Sequence, residues 1–192
     1  MAAEPADLAR YHRQMLLPQI GEQGQRTLDD THIAIIGCGA LGCAAADALS
    51  RAGVRYLTLI DRDLVEWTNL PRQSLFTESD AACATPKVVA AAARIAQTTS
   101  ATIVNALADD LTARNAEQLI FGASDGRPGA LPRPRVIIDG TDNFATRYLL
   151  NDISVKHALP LVYGGVIATR GTVAALIPGH GPCLRCIAPR IP

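Results

Sequence analysis

The chain has 192 residues, 48% of them hydrophobic, which is the length of one domain with a well-covered core. Eighteen Lys and Arg balance eighteen Asp and Glu, the pI is near 6.9 and the cations are scattered, which speaks against a general nucleic-acid binder. No run of about 18 apolar residues is present to span a bilayer, and residues 1–20 carry charges where a signal peptide needs an apolar core, so a cytoplasmic protein without nucleic-acid or membrane partners is expected.

Residues 1–30 read as an N-terminal helical arm: a frayed tail over 1–8, a short helix from Ala9 that Pro18 ends, and a second helix from Gly21 to Asp30. The arm is dense in polar contacts for its length, with Arg10, Tyr11, Arg13 and Gln14 in five residues. Residues 31–192 form the main domain. Ile33 to Ile36 is too short and too β-branched for a helix and reads as a buried strand. Gly37, Gly39 and Gly42 then form G-x-G-x-x-G, and a helix from Ala40 to Ala52 aims its free N–H groups and dipole at a phosphate. Gly53 stops that helix. Tyr56 to Ile60 is the second strand, and Asp61 stands where such folds place a carboxylate for ribose hydroxyls.

RDLVEWTNLPRQSLF, from Arg62 to Phe76, has neither clean period and reads as a loop at the carboxyl edge of the sheet, where open α/β folds bind ligands. It offers Asp63, Asn69, Arg72 and Gln73. A helix follows Pro86 with Lys87 in its first turn; a cation there opposes the dipole, so a phosphate is a candidate reason for it. Ala101 to Leu107 is a third strand, Thr112 caps a helix to Ile120, and residues 122–134, rich in Gly and Pro, form an exposed loop. After the strand Val136 to Asp139 comes a helix started by Asp142, a capping acid also placed to hold magnesium, with Phe144, Leu149, Ile153 and Val155 on its buried side. Leu161 to Val166 and Thr172 to Ile177 make a C-terminal hairpin about a turn at 168–171. The alternation predicts a Rossmann-like, doubly wound, mostly parallel α/β sheet with helices on both faces. Cys38 and Cys43 read as small core fillers; Cys183 and Cys186 form C-x-x-C after a Gly/Pro turn, unlike a redox pair at a helix N-terminus.

RYHRQ, GCGALG, DRDLVEWTNLPRQ, PK, DGTDN and GPCLRC stand in the order and approximate spacing of the MoeB/ThiF/HesA family, bacterial relatives of ubiquitin-activating enzymes, and the resemblance covers Arg10 to Cys186. It implies ATP-dependent adenylation of the C-terminal glycine carboxylate of a small ubiquitin-fold sulfur-carrier protein, of the molybdopterin or thiamin type. Carried over residue by residue, the resemblance implies nucleotide contacts from Gly39, Ala40, Asp61, Asn69, Arg72, Lys87, Asp142 and Asn143. Magnesium would sit at Asp142, and Arg13 would reach the site of a partner subunit in a homodimer. Ala40 replaces a frequent glycine, which a negative φ tolerates. The chain ends six residues after Cys186, whereas the family usually continues with a crossover segment and a second C-x-x-C. Cys183 and Cys186 are therefore expected to be half a zinc site of a longer chain, leaving the last dozen residues here loose. The rival readings are a NAD-dependent oxidoreductase, which leaves Asn69, Arg72 and Lys87 unexplained, and a shortened, non-catalytic nucleotide-binding paralogue.

Overall fold

A computed structural model describes residues 8–124, 126 and 129–189. Strand β1 (His32–Ile36) is buried along its whole length because its side chains alternate between two covered layers. Ile33 and Ile35 face one, Ala34 and Ile36 the other. On one side of β1 run β2 (Tyr56–Ile60) and β3 (Ile103–Leu107), on the other β4 (Val136–Asp139) and β5 (Leu161–Ile167), all parallel. Strand β6 (Arg170–Leu176) pairs antiparallel at the edge, so the order is β3-β2-β1-β4-β5-β6. This is the expected doubly wound sheet, and the chain reverses its direction of winding between β1 and β4, which opens a crevice there.

Helices α3 (Ala40–Ala52), α4 (Glu78–Ala82) and α5 (Lys87–Thr98) cover one face, through Cys43, Ala46, Ala81, Val88 and Ile95. Helices α6 (Ala116–Phe121), α7 (Phe144–Lys156) and α8 (Leu184–Ile187) cover the other, through Ile120, Leu150, Ile153 and Leu184. Each fully buried Leu or Ile contributes about 1.5–3 kcal/mol, so the two layers hold the sheet between both sets of helices. Among the described residues no helix is long and apolar enough to cross a membrane.

The arm is built of a 3-10 turn (Leu8–Tyr11), α1 (His12–Met15) and α2 (Gly21–Asp29), and it docks on the carboxyl end of α3. Gly53 ends α3 with φ +92°, and a Cβ there would lie 2.8 Å from the ring of buried Tyr11. The Gln14 and Gln25 amides both donate to the Ala52 carbonyl, at 2.8 and 3.0 Å, and Arg10 donates to Thr99 Oγ1. The two glutamines thus act as C-caps for the end of α3.

Several local expectations are corrected. Helix α4 follows the Arg62–Phe76 loop, in a stretch where the sequence predicts no element, and is capped by Thr77, whose hydroxyl accepts the Asp80 N–H while the Asp80 carboxylate accepts the Thr77 N–H. Thr112 does not cap α6: its N–H and hydroxyl donate to Asn115 Oδ1, and the helix starts at Ala116. Asn143, not Asp142, caps α7, accepting the Thr146 N–H at 2.8 Å. The buried side of α7 carries Arg147, Tyr148, Leu150, Asn151 and Ser154 beside Ile153, while Val155 is 51% exposed and Phe144 and Leu149 are only partly covered. The helix lies between the sheet and α8, so polar partners on both decide its buried face. The hairpin ladder continues to Ile167 and Arg170, shortening its turn to Ala168 and Thr169. The frayed tail, part of the 122–134 loop and Arg190 to Pro192 lie outside the described residues, but 184–188 are not loose. Leu184 N–H donates to Asn151 Oδ1, Arg185 pairs with Asp152, and Tyr148 donates to the Ala188 carbonyl.

Candidate functional site

The turn after β1 meets the turn after β4 backbone to backbone. A Cβ on Gly42 would stand 1.8 Å from the Gly37 carbonyl oxygen, and one on Gly37, whose φ is +88°, 2.8 Å from Gly140. Gly39 is the N-cap of α3 and supplies no side chain to its first N–H groups, which are left for a ligand; Ala40 opens the helix without positive φ. Asp61, at the end of β2, locks the same turn: its Oδ2 accepts the Cys38 N–H at 2.6 Å and its Oδ1 the Asp63 N–H at 2.8 Å.

Beyond these turns, at the carboxyl edge of the sheet, lies an open cavity of about 810 Å3. Gly39, Ala40, Asp61, Asn69, Arg72, Lys87, Asp142 and Asn143 all line it, although they are spread over 105 residues of sequence from Gly39 to Asn143. Each is held differently. Asn69 is buried and closes the 3-10 turn Trp67–Asn69, accepting the Glu66 N–H through Oδ1. Arg72 is exposed and donates to the Thr68 carbonyl at 2.6 Å. Lys87 is only 6% exposed and paired with Asp63, Nζ to Oδ2 at 2.8 Å, while its backbone N–H holds the Asp63 carbonyl. Asp63 resolves the dipole conflict that the sequence poses: the lysine at the helix start has a counter-ion. The Asp142 carboxylate forms no hydrogen bond with the described residues, and it faces the cavity beside Thr141 and Asn143.

Arg13 is exposed and does not line the cavity. Cys183 and Cys186 are also elsewhere, on the α7 side, with their sulfurs 3.7 Å apart. Contrary to the sequence reading, Cys183 does begin a helix, the single-turn α8. Hydrogen bonds from the Cys186 backbone and thiol lower the Cys183 pKa. The sulfur spacing matches two corners of a tetrahedron with metal–sulfur bonds of about 2.3 Å, which are about 3.8 Å apart. Among the described residues no group of three or more His, Cys, Asp or Glu is placed to hold a metal. Magnesium asks for less, one or two carboxylates with phosphates and water completing the shell, and unpaired Asp142 fits that demand.

Sequence reading passed over Arg147. It lines the cavity, it is 8% exposed, and its guanidinium packs over the rings of Phe144 and Tyr163, each 5.1 Å away. The only signal in the sequence is a cation within an otherwise buried helical stripe. Opposite it stands Asp139, whose buried carboxyl is raised from its ordinary pKa by desolvation, against hydrogen bonds from Thr141. No thiol here is a ready nucleophile: burial pushes Cys43 up to about 11 and Cys38 well above its ordinary value. The cavity therefore offers helix N–H groups, a ribose-type carboxylate, cations and a free acid, which suits binding and charge neutralisation of a phosphorylated nucleotide rather than covalent catalysis.

The ThiF family profile matches residues 11–192. The sulfur carrier protein ThiS adenylyltransferase of Bacillus subtilis is 42% identical over 183 residues, covering 95% of this chain and 51% of that protein. The sulfur carrier protein adenylyltransferase of Thermus thermophilus is 37% identical, over 97% and 66%. Among solved structures, Escherichia coli MccB with ATP superposes at a TM-score of 0.77, with 24% identity over 92% of this chain and 50% of that one. The E. coli tRNA N6-threonylcarbamoyladenosine dehydratase TcdA, in complex with ATP, superposes at 0.70, with 29% identity over 84% and 62%. The chain spans about half the length of several of these relatives. With the glycine turn, the acid after β2 and the Asn69–Arg72 loop all assembled on one sheet edge, and the profile matched over residues 11–192, the chain belongs to the ThiF family.

Proposed function

We propose that the chain carries out ATP-dependent adenylation of the C-terminal glycine carboxylate of a small ubiquitin-fold sulfur-carrier protein. The observation that carries this reading is one cavity at the β1/β4 switch point that joins an uncapped helix N-terminus, Asp61, the cations Arg72 and Lys87, and the acid Asp142. In the reaction a carboxylate oxygen of the carrier forms a bond to the α-phosphorus, the bond from that phosphorus to the α,β-bridging oxygen breaks, and pyrophosphate leaves. Asp61 takes the ribose with the lone pairs its two backbone contacts leave over. The Asn69 amide, Arg72 and Lys87 hold the triphosphate, so charge that gathers on the leaving pyrophosphate is already matched. Asn143 keeps Asp142 at the helix start, and Asp142 holds magnesium, which when bound neutralises phosphate charge.

Arg13 belongs to the site of a second subunit. Its arm is docked at the far end of α3, about 18 Å along a helix whose other end is the phosphate turn, so it does not serve the cavity of its own chain. Cys183 and Cys186 hold zinc together with further thiolates of a longer protein. The test is ATP–pyrophosphate exchange with a ubiquitin-fold carrier ending in glycine. Exchange that needs the carrier and magnesium supports the reading; protection of the chain from proteolysis by NAD but not by magnesium-ATP would overturn it.

A further inference from the structure

We infer that Arg147 is a positioning residue: it staples the turn that carries Asp142 onto β5 and so sets how the site receives the magnesium-bound form of the nucleotide. The inference rests on the assignment of Asp142 to magnesium. Asp142 has no side-chain hydrogen bond to the described residues, so its position depends on the backbone of its own turn. That turn is held from inside the domain. Arg147 Nη2 donates to the carbonyl of Thr141, the residue before Asp142, at 2.7 Å, and to the Gly164 carbonyl on β5 at 3.4 Å. Its Nη1 donates to the Tyr163 hydroxyl at 3.2 Å. One planar fork therefore ties α7, the Asp142 turn and β5 together, which an ammonium group on a flexible stem cannot reproduce.

The buried partner of the arginine points the same way. Asp139 Oδ1 accepts both the Thr141 N–H and hydroxyl, at 2.9 and 2.7 Å, and so fixes the base of the turn. Its Oδ2 faces Arg147 Nε across 3.7 Å, and both atoms are buried without a hydrogen bond. Two desolvated charges that do not hydrogen-bond along their facing edge are poor stabilisers, and an apolar pair of the same volume would serve packing better. What the pair does supply is geometry, from two sides, to Thr141, the residue before Asp142.

The experiment compares calorimetric affinity for ATP in excess magnesium and for ATP in EDTA, with melting temperatures, in wild type, Asp142→Asn, Arg147→Lys and the double variant. Arg55→Lys is the control, because Arg55 makes a largely buried pair with Asp29 far from the cavity. Arg147→Lys is expected to weaken magnesium-ATP by about tenfold or more, as loss of a group orienting a metal ligand does, and to leave metal-free ATP unchanged. In the Asp142→Asn background it should add nothing, since both act through one carboxylate. Arg55→Lys should lower the melting temperature without moving the magnesium preference. If Lys at 147 does not fold, Asp139→Asn carries the same comparison. Equal losses for both nucleotide forms, or losses that add in the double variant, overturn the inference. A magnesium effect of Asp142→Asn with none from Arg147→Lys overturns it alone, and a wild type with no magnesium preference overturns the Asp142 assignment as well.

Discussion

Arg72 and Lys87 face the same cavity from different environments, and they separate in mutagenesis. Arg72 is exposed and bonds only a local carbonyl, so Arg72→Ala should leave the melting temperature near wild type while pyrophosphate exchange falls by the equivalent of about 2–4 kcal/mol in the transition state. Lys87 is buried in its pair with Asp63, so Lys87→Ala should lower both exchange and stability, the latter by about 1–3 kcal/mol. Melting curves and exchange rates on the same preparations check the contrast. His32 gives a second residue-scale test. It is fully buried between the Pro132 carbonyl, which only accepts, and the Thr58 hydroxyl, so Nδ1 carries the proton and the ring is neutral. Burial lowers its pKa below the ordinary 6.5, so the unfolded chain binds the extra proton first. Stability from His32 is then complete above about pH 6.5 and is lost as pH falls below it towards the folded pKa. The melting temperature of wild type should fall between pH 7 and pH 5 by more than that of His32→Asn.

At the scale of elements, α3 links the arm to the phosphate turn. Gly53→Ala puts a Cβ 2.8 Å from the Tyr11 ring at a left-handed φ, and should cost about 1–3 kcal/mol and undock the arm. Hydrogen exchange should show faster exchange over residues 10–20 while the nucleotide turn stays protected. The short α8 is a further test, because Asn151, Asp152 and Tyr148 of α7 all hold it. Extending the chain by a second cysteine pair should raise zinc towards one ion per chain, with Cys183→Ser abolishing the gain. Tight stoichiometric zinc in the 192-residue chain by itself would mean that the other ligands have been misplaced.

At the scale of the whole molecule the arm and the cavity lie at opposite ends of α3, so the role proposed for Arg13 requires a second copy of the chain. Mixing Arg13→Ala with Asp142→Ala protein, each inactive, should restore part of the exchange activity through heterodimers with one intact composite site; absence of recovery despite proven subunit exchange would refute the shared site. The sequence alone determined the β1–α3–β2 unit to the residue for α3 and β2, because hydrophobic period, glycine spacing and the stop at Gly53 are all local signals. It also determined the sheet type and the edge where Gly39, Asp61, Asn69, Arg72, Lys87 and Asp142 gather, since strands alternating with helices bring their carboxyl ends to one edge, but it left out Arg147. Tertiary structure decided what those residues touch. Lys87 is buried because Asp63, 24 residues away, reaches it; Arg147 matters because Tyr163 and Gly164 return beside α7; Asn143 rather than Asp142 caps α7 because only its oxygen meets the Thr146 N–H. Those partners lie on different elements or turn on one residue of backbone geometry, and neither leaves a periodic trace along the chain.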